Sequence, residues 1–358
     1  MKNQLKAIAT ASVGILAISA CGAGSDDGEP DDLSPVTLTL QWVVQAQFAG
    51  FIAALDEGYY EEEGIDLTIN PGGPDVNNLQ LLIAGSTDLA VQSYGNVLSS
   101  VDQGAELTAV GSVFERPGAT LVYYTDNGDY SDPASWSGLT VGNWNGFSAP
   151  FWAAVAKNGM DVDTDVTIAN QAFDMNAFIS GEYDMAEAMT YNEYAQALAG
   201  SGDREIGIVD YSELGTAVLE DTIVGTSSWI EENPELVEGF LRASIRGWIY
   251  CRDNAESCVQ KVLEYGTALP ENYQTWQMNE VNKLLWPSTE GALMSTEESR
   301  TQSESILFEY GVVSQQPDGE LMDTSYWEAA VADLSEEDLH GEGFTAEDLD
   351  PVELFQSE

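Results

Sequence analysis

The chain is poor in the residues most enzymes rely on. A single histidine, His340, occurs in 358 residues, and it lies in an acidic stretch. A Ser-His-Asp triad, a Cys-His pair or a histidine-rich metal site therefore has little to be built from. Lys and Arg total 11 against 61 Asp and Glu, giving a formal net charge of −50. Such a field repels nucleic acid and anionic lipid. No lysine occurs between Lys6 and Lys157. The three cysteines, Cys21, Cys251 and Cys258, are too few and too scattered for a cysteine cluster. Beyond residue 20 no apolar run approaches the roughly 20 residues a membrane span needs. Phosphate-cradling Gly-Lys-Ser/Thr, Gly-x-Gly-x-x-Gly and Gly-x-Ser-x-Gly patterns are also absent. Asp161-Val162-Asp163-Thr164-Asp165 opens like a calcium loop. Val166 stands where the turn glycine belongs and Ala172 where the bidentate Glu belongs, so calcium is excluded. In so acidic a chain no carboxylate dyad can be singled out. These absences point to binding rather than catalysis, with no cofactor and no metal.

What is present begins at the N-terminus. Lys2 and Lys6 precede Ala7–Ala20, which are apolar or small apart from Thr10, Ser12 and Ser19. That is the pattern of a secretory leader over residues 1–20. Ile18-Ser19-Ala20-Cys21-Gly22 resembles a bacterial lipobox, which implies lipidation at Cys21. The alternative is an ordinary cleaved leader with a chance cysteine. Residues 21–35, rich in Gly, Asp and Pro, read as a flexible tether. The expected location is the outer face of the cell membrane, with the body leashed by lipid.

The acids are spread along the chain rather than gathered in one block. This suits a surface adapted to concentrated salt, where screening shortens repulsion to ~3 Å at 1 M. A cation store or an acidic interaction surface is the alternative. Cys251 and Cys258 form an even pair outside the membrane, where an oxidising compartment favours a disulfide; two buried thiols is the other reading.

The body exceeds one typical domain of ~100–150 residues, so two lobes are expected. Alternating Val36–Leu40, a helix over Phe51–Tyr60 and a strand at Ile65–Ile69 open an α/β pattern. Strand signals recur at Leu89–Val91, Thr108–Phe114 and Thr120–Tyr124. They restart at Leu139–Val141, Val166–Ala169 and Ile206–Val209, with helices between. After Val224 the chain reads as mostly helical, starting at Pro234. The expected organisation is lobe 1 from 36–124 plus 222–334, lobe 2 from 125–221, and a loosely held acidic tail over 335–358. Two crossings, near Thr125 and Asp221, make a hinge and an interlobe cleft.

The stretch Leu40-Gln41-Trp42-Val43-Val44-Gln45-Ala46-Gln47-Phe48-Ala49-Gly50, followed by Gly58-Tyr59-Tyr60 and Gly64-Ile65-Asp66, is distinctive. It resembles the opening of ABC-importer substrate-binding proteins of the group that carries thiamine pyrimidine precursors, riboflavin and sulfonates. The resemblance continues through Gln92-Ser93-Tyr94, Phe114-Glu115, Gly142-Asn143-Trp144-Asn145-Gly146, Met189-Thr190-Tyr191-Asn192-Glu193 and Leu219-Glu220-Asp221. It implies an α/β, two-lobed type-II periplasmic-binding-protein fold. It further implies a monomer that closes on a small ligand and docks on a permease with its ATPase subunits.

A flat heterocycle needs aromatic faces and a few amide or carboxylate partners. The candidate ligand residues are Trp42, Gln45, Gln47 and Phe48 on the first loop, Gln92, Ser93 and Tyr94 on the second, and Glu115. From the other lobe come Trp144, Asn145, Tyr191, Asn192 and Glu193. Trp42 reads equally well as core, and Glu193 as a solvated helix residue. Related pyrimidine synthases carry Pro-Asn and then a His in the first loop, a nearby Lys and a Cys-rich motif. Here Val44-Gln45 and Phe48 stand at the loop positions, without that Lys or Cys cluster, so a pyridoxal-phosphate-using synthase is disfavoured. Phe48 in place of His also leans the ligand toward a larger ring such as a flavin.

Overall fold

The computed structural model describes residues 33–144, 149–266, 270–318 and 321–356. Cys21 and Asn145 lie outside the described residues, as does the leader. Ten strands are present among the described residues: β1 (Ser34–Thr39), β2 (Ile65–Asn70), β3 (Leu89–Gln92), β4 (Leu107–Ser112), β5 (Ala119–Tyr124), β6 (Thr140–Asn143), β7 (Thr167–Asn170), β8 (Met185–Met189), β9 (Ile206–Asp210) and β10 (Thr222–Thr226). They form two five-stranded mixed sheets, ordered β2-β1-β3-β10-β4 and β7-β6-β8-β5-β9. In each, parallel strands joined by helices meet antiparallel strands that carry the chain between sheets.

Ala119–Tyr124, expected in lobe 1, belongs to the second sheet, where it pairs with β8 and β9. The first crossing therefore falls between Ser112 and Ala119 rather than near Thr125. The reason is local. Leu121 and Val122 are fully buried among second-sheet residues, and the turn chemistry near Asp126 ends a strand without changing lobes. The second crossing ends at Asp221. The two run side by side, with the Val113 N–H donating to the Asp221 carbonyl at 2.8 Å.

The first-lobe core fixes the loop after β1. The Ala49–Asp56 helix packs on the long Pro234–Asp253 helix. Gly50 and Gly247 allow that approach. A Cβ on Gly247 would collide with the Gly50 carbonyl, and one on Gly50 with the Trp248 ring. Phe48, Phe51, Tyr60, Phe240 and Trp248 fill the space around this contact, all fully buried. Pinning the helix start pins the 3-10 turn Ala46–Phe48 that leads into it.

The C-terminal part is helical, as the pattern predicts. Cys251, near the end of the Pro234–Asp253 helix, is disulfide-bonded to Cys258 in the next helix, with Cα atoms 5.4 Å apart. The acidic tail differs from its expected looseness. Leu339 and Phe344 pack on the main core. Asn279 and Glu347 exchange hydrogen bonds at 3.1 and 2.9 Å. The Pro351–Gln356 helix packs against both the Glu193–Gly200 helix and the Glu271–Leu285 helix, with Phe355 against the Tyr273 ring at 4.3 Å. Apolar residues between the tail's acids supply the anchors that charge alone conceals. Deleting residues 346–358 is expected to cost about 1–3 kcal/mol as Leu354 and Phe355 lose their packing. A lower urea midpoint would show this; an unchanged midpoint would return the tail to a passive role.

Candidate functional site

The loops at the carboxyl ends of the parallel strands in both sheets converge on one cavity of about 320 Å³, the usual place for a ligand in an α/β sheet. From the first lobe come Gln41, Trp42, Gln45 and Gln47 after β1, and Pro74 and Val76 after β2. Gln92 at the end of β3 and Asn96 beyond it complete this wall. The second lobe contributes Trp144 after β6, Phe173 after β7, Met189 at the end of β8, and Tyr191, Asn192 and Glu193 beyond it.

Aromatic rings span the two walls. Phe173 lies 4.6 Å from Trp42 across the cleft and 6.3 Å from Trp144 in a stacked arrangement, measured between ring centroids. Trp144 is steadied by its indole N–H donating to the Ala172 carbonyl at 3.3 Å. Phe173 is 52% exposed, unusual for so large an apolar side chain, and it sits where a flat ligand would meet it.

Side-chain amides and the carboxyl of Glu193 supply the polarity of the lining, and the carboxyls in and behind the walls are each held by N–H donors. Asp221 accepts from the Gln47 amide at 3.0 and 2.9 Å, and from Gln41. Its backbone stands at φ +36°, a conformation costly outside glycine and often found at functional sites. Glu193 accepts from the Met189 N–H at 3.1 Å and from Asn192 at 2.9 Å. Glu187, behind the second wall, accepts from Asn143 at 2.8 Å and the Trp144 N–H at 3.1 Å. Glu220 ties the crossings together by accepting from the Gly118 and Ala119 N–H groups, both at 3.0 Å. No Lys, Arg or His is among the described lining residues. Burial therefore dominates the titration. It pushes Glu187 up to about 8, and Glu193 and Glu220 up to about 7, against the partial relief of their N–H donors. Asp221 is raised well above the usual carboxylate range for the same reason.

Of the expected residues, Trp42, Gln45, Gln47, Gln92, Trp144, Tyr191, Asn192 and Glu193 meet at this cavity. Four others do not. Phe48 is fully buried in the first-lobe core, because the 3-10 turn that presents Gln47 sends the next side chain inward. Tyr94 turns into a separate apolar cluster, where its hydroxyl donates to Glu304 at 2.6 Å. Ser93 caps the Tyr94–Asp102 helix and lines a different depression beside Trp152. Glu115 accepts from Ser288 and Thr289, three bonds at 2.6 Å, and staples the first crossing to the C-terminal part. Gln41, Asn96 and Phe173 were not anticipated. Gln41 lies inside the quoted first-loop stretch, and Phe173 had only its place in an Ala-Phe-Asp loop to mark it.

This geometry defines an α/β, two-lobed periplasmic-binding-protein fold. The solved periplasmic aliphatic sulphonate binding protein SsuA of Escherichia coli shares it at a TM-score of 0.65 and 16% identity, covering 82% of this chain and 93% of that one. The chain belongs to the family described as NMT1/THI5 like, whose profile matches residues 45–257. It is 24% identical over 265 residues to a formylaminopyrimidine-binding protein of Halalkalibacterium halodurans, covering 70% of this chain and 76% of the relative. It is 27% identical to the riboflavin-binding protein RibY of Chloroflexus aurantiacus, covering 60% and 62%. It is also 24% identical to a 4-amino-5-hydroxymethyl-2-methylpyrimidine phosphate synthase of Aspergillus parasiticus, covering 60% and 66%.

Glu187 makes the electrostatics testable. Folded Glu187 keeps its proton to about pH 8, whereas an unfolded glutamate loses it near 4.5. Between those values the folded state binds more protons, so this contribution is fully present at acid pH and is lost as pH rises toward 8. The Glu187→Gln variant, which stays neutral, is expected to lose less stability than the native chain between pH 5 and 8. Parallel stability–pH curves for the two proteins in concentrated salt would contradict this.

Proposed function

We propose that this chain is an extracytoplasmic solute-binding lipoprotein of an ABC importer, anchored through Cys21. In this reading it turns nothing over. It closes its lobes on an uncharged nitrogen heterocycle and hands it to a permease driven by ATPase subunits. The observation that carries the reading is the cavity's chemistry: aromatic faces, side-chain amides and a buried carboxyl, with no cationic lining residue. Ring N–H and amino groups find acceptors there, and ring nitrogens find amide donors. A sulfonate or other anion needs Arg, Lys or a dense set of N–H donors, and would face Glu193 instead. Arg116, the basic residue closest in sequence to a first-lobe site motif, is spent on the carbonyls of Lys283, Trp286 and Pro287 at 2.8–3.0 Å.

A pyrimidine precursor is favoured over riboflavin. The lean toward a flavin rested on Phe48, which lies in the core, and the cavity falls at the small end of the ~300–1,000 Å³ range of ligand sites. The synthase reading is disfavoured by the same lining. It offers no lysine for attaching pyridoxal phosphate, no cation for the phosphate and no cysteine cluster.

Calorimetric titration of residues 22–358 in concentrated salt, with formylaminopyrimidine, riboflavin and an alkanesulfonate, tests the reading. Saturable binding of a heterocycle at micromolar or lower concentration is expected, with no heat from the sulfonate. Trp42→Ala is expected to weaken the heterocycle about tenfold through lost stacking. Binding of the sulfonate alone, or of none of the three, would overturn it.

A further inference from the structure

Gln277 lies outside the family-matched segment, on the Glu271–Leu285 helix, and it is fully buried. Its side-chain nitrogen donates to Gln45 Oε1 at 3.2 Å and to Asn192 Oδ1 at 3.4 Å. Gln45 and Asn192 stand on opposite walls of the cavity. From Gln277 a chain of amides runs each way. Gln45 donates to Gln47 at 2.7 Å, and Gln47 donates to Asp221. In the other direction Asn192 donates to Glu193 at 2.9 Å.

Every bond in the two chains runs the same way, from Gln277 toward a carboxyl. Both oxygens of Asp221 and both of Glu193 already accept from N–H groups. In this arrangement each amide presents its nitrogen toward the carboxyl end, which leaves its carbonyl facing the next amide. Two chains polarised this way meet with carbonyl against carbonyl. Only a residue with two hydrogens on one buried nitrogen can join them without adding charge. A side-chain amide meets that need, and the consequence is visible: Gln277 Oε1 is buried with no hydrogen-bond partner.

We propose that Gln277 is the specificity-setting positioning residue of this site. As the double donor between the lobes, it decides which of the wall amides offer N–H groups and which offer carbonyls to the ligand. The proposal rests on the reading that the interlobe cavity holds the ligand. It extends that reading by placing the control of hydrogen-bond pattern on a residue outside the lining. Gln277 also joins the two walls directly, so the same contact favours the closed arrangement.

The test uses Gln277→Met, which keeps the length and removes both donors, and Gln277→Glu, which keeps an acceptor and loses the amide nitrogen. Thermal unfolding first identifies which variants fold, and either suffices. The first readout needs no ligand: side-chain amide 1H–15N resonances of Gln45, Gln47 and Asn192 in the free protein. The expected result is a shift of all three, including Gln47, which Gln277 does not touch. The second readout is the ratio of affinities for formylaminopyrimidine and riboflavin, expected to change at least fivefold. Unmoved Gln47 and Asn192 resonances would overturn the proposal, as would an equal loss of affinity for both ligands, which is the mark of packing alone. If the native chain binds neither ligand, the reading of the cavity fails, while the amide spectrum still decides the role of Gln277.

Discussion

The structure of this site depends on one constraint: carboxyls are buried between two lobes with no cation to balance them. An unpaired carboxylate in a low-dielectric interior is costly, and the usual remedies are an ion pair or a retained proton. Here the remedy is a retained proton together with a dense set of N–H donors. Asp221 takes Gln41 and Gln47, Glu193 takes Asn192 and the Met189 N–H, and Glu220 takes two backbone N–H groups from the neighbouring crossing. Those donors fix the loops, and the loops form the walls. The polarity of the cavity is therefore a by-product of how the acids are accommodated.

The composition of the chain explains why amides do this work. The few basic residues are committed elsewhere. Arg242 pairs with Glu63 and Asp333, Lys261 with Asp56 and Glu57, Arg252 with Asp253 and Asp338, and Arg204 with Asp126. Most of these pairs have an exposed acidic partner, where salt screens them, while Arg242–Glu63 is largely buried. The amide and backbone contacts of the cleft are buried and far less sensitive to salt. A protein whose surface is dominated by like charge thus lines its interlobe cavity with groups whose buried hydrogen bonds ionic strength does little to weaken.

Most of the fold was legible from punctuation and period: the β–α alternation, the Pro234 helix start and the loop after Leu40. β8 was not. Met185-Ala186-Glu187-Ala188-Met189 is made of strong helix formers, and it is a strand because it is enclosed between β5 and β6. Its buried Glu187 is the local conflict that marks it as part of the site. The site was legible where a motif loop faces the cleft, as with Trp42 and Asn192, and illegible where a loop's own geometry chooses the direction. Phe48 and Gln47 are neighbours in one turn, yet one enters the core and the other the site. Gln277 was hidden for another reason. A helix with Gln274, Gln277 and Asn282 on buried positions reads as merely polar, although buried amides rather than charges at such spacing point to side-chain hydrogen bonds inside the fold.

The cleft is organised around buried carboxyls solvated by N–H donors. The most direct measurement is the carboxyl 13C titration of Glu193, in the free protein and with formylaminopyrimidine. The expected midpoint is raised to about 7 in the free protein and lowered when the ligand donates to the carboxylate. A midpoint near the ordinary glutamate value, unmoved by ligand, would contradict it.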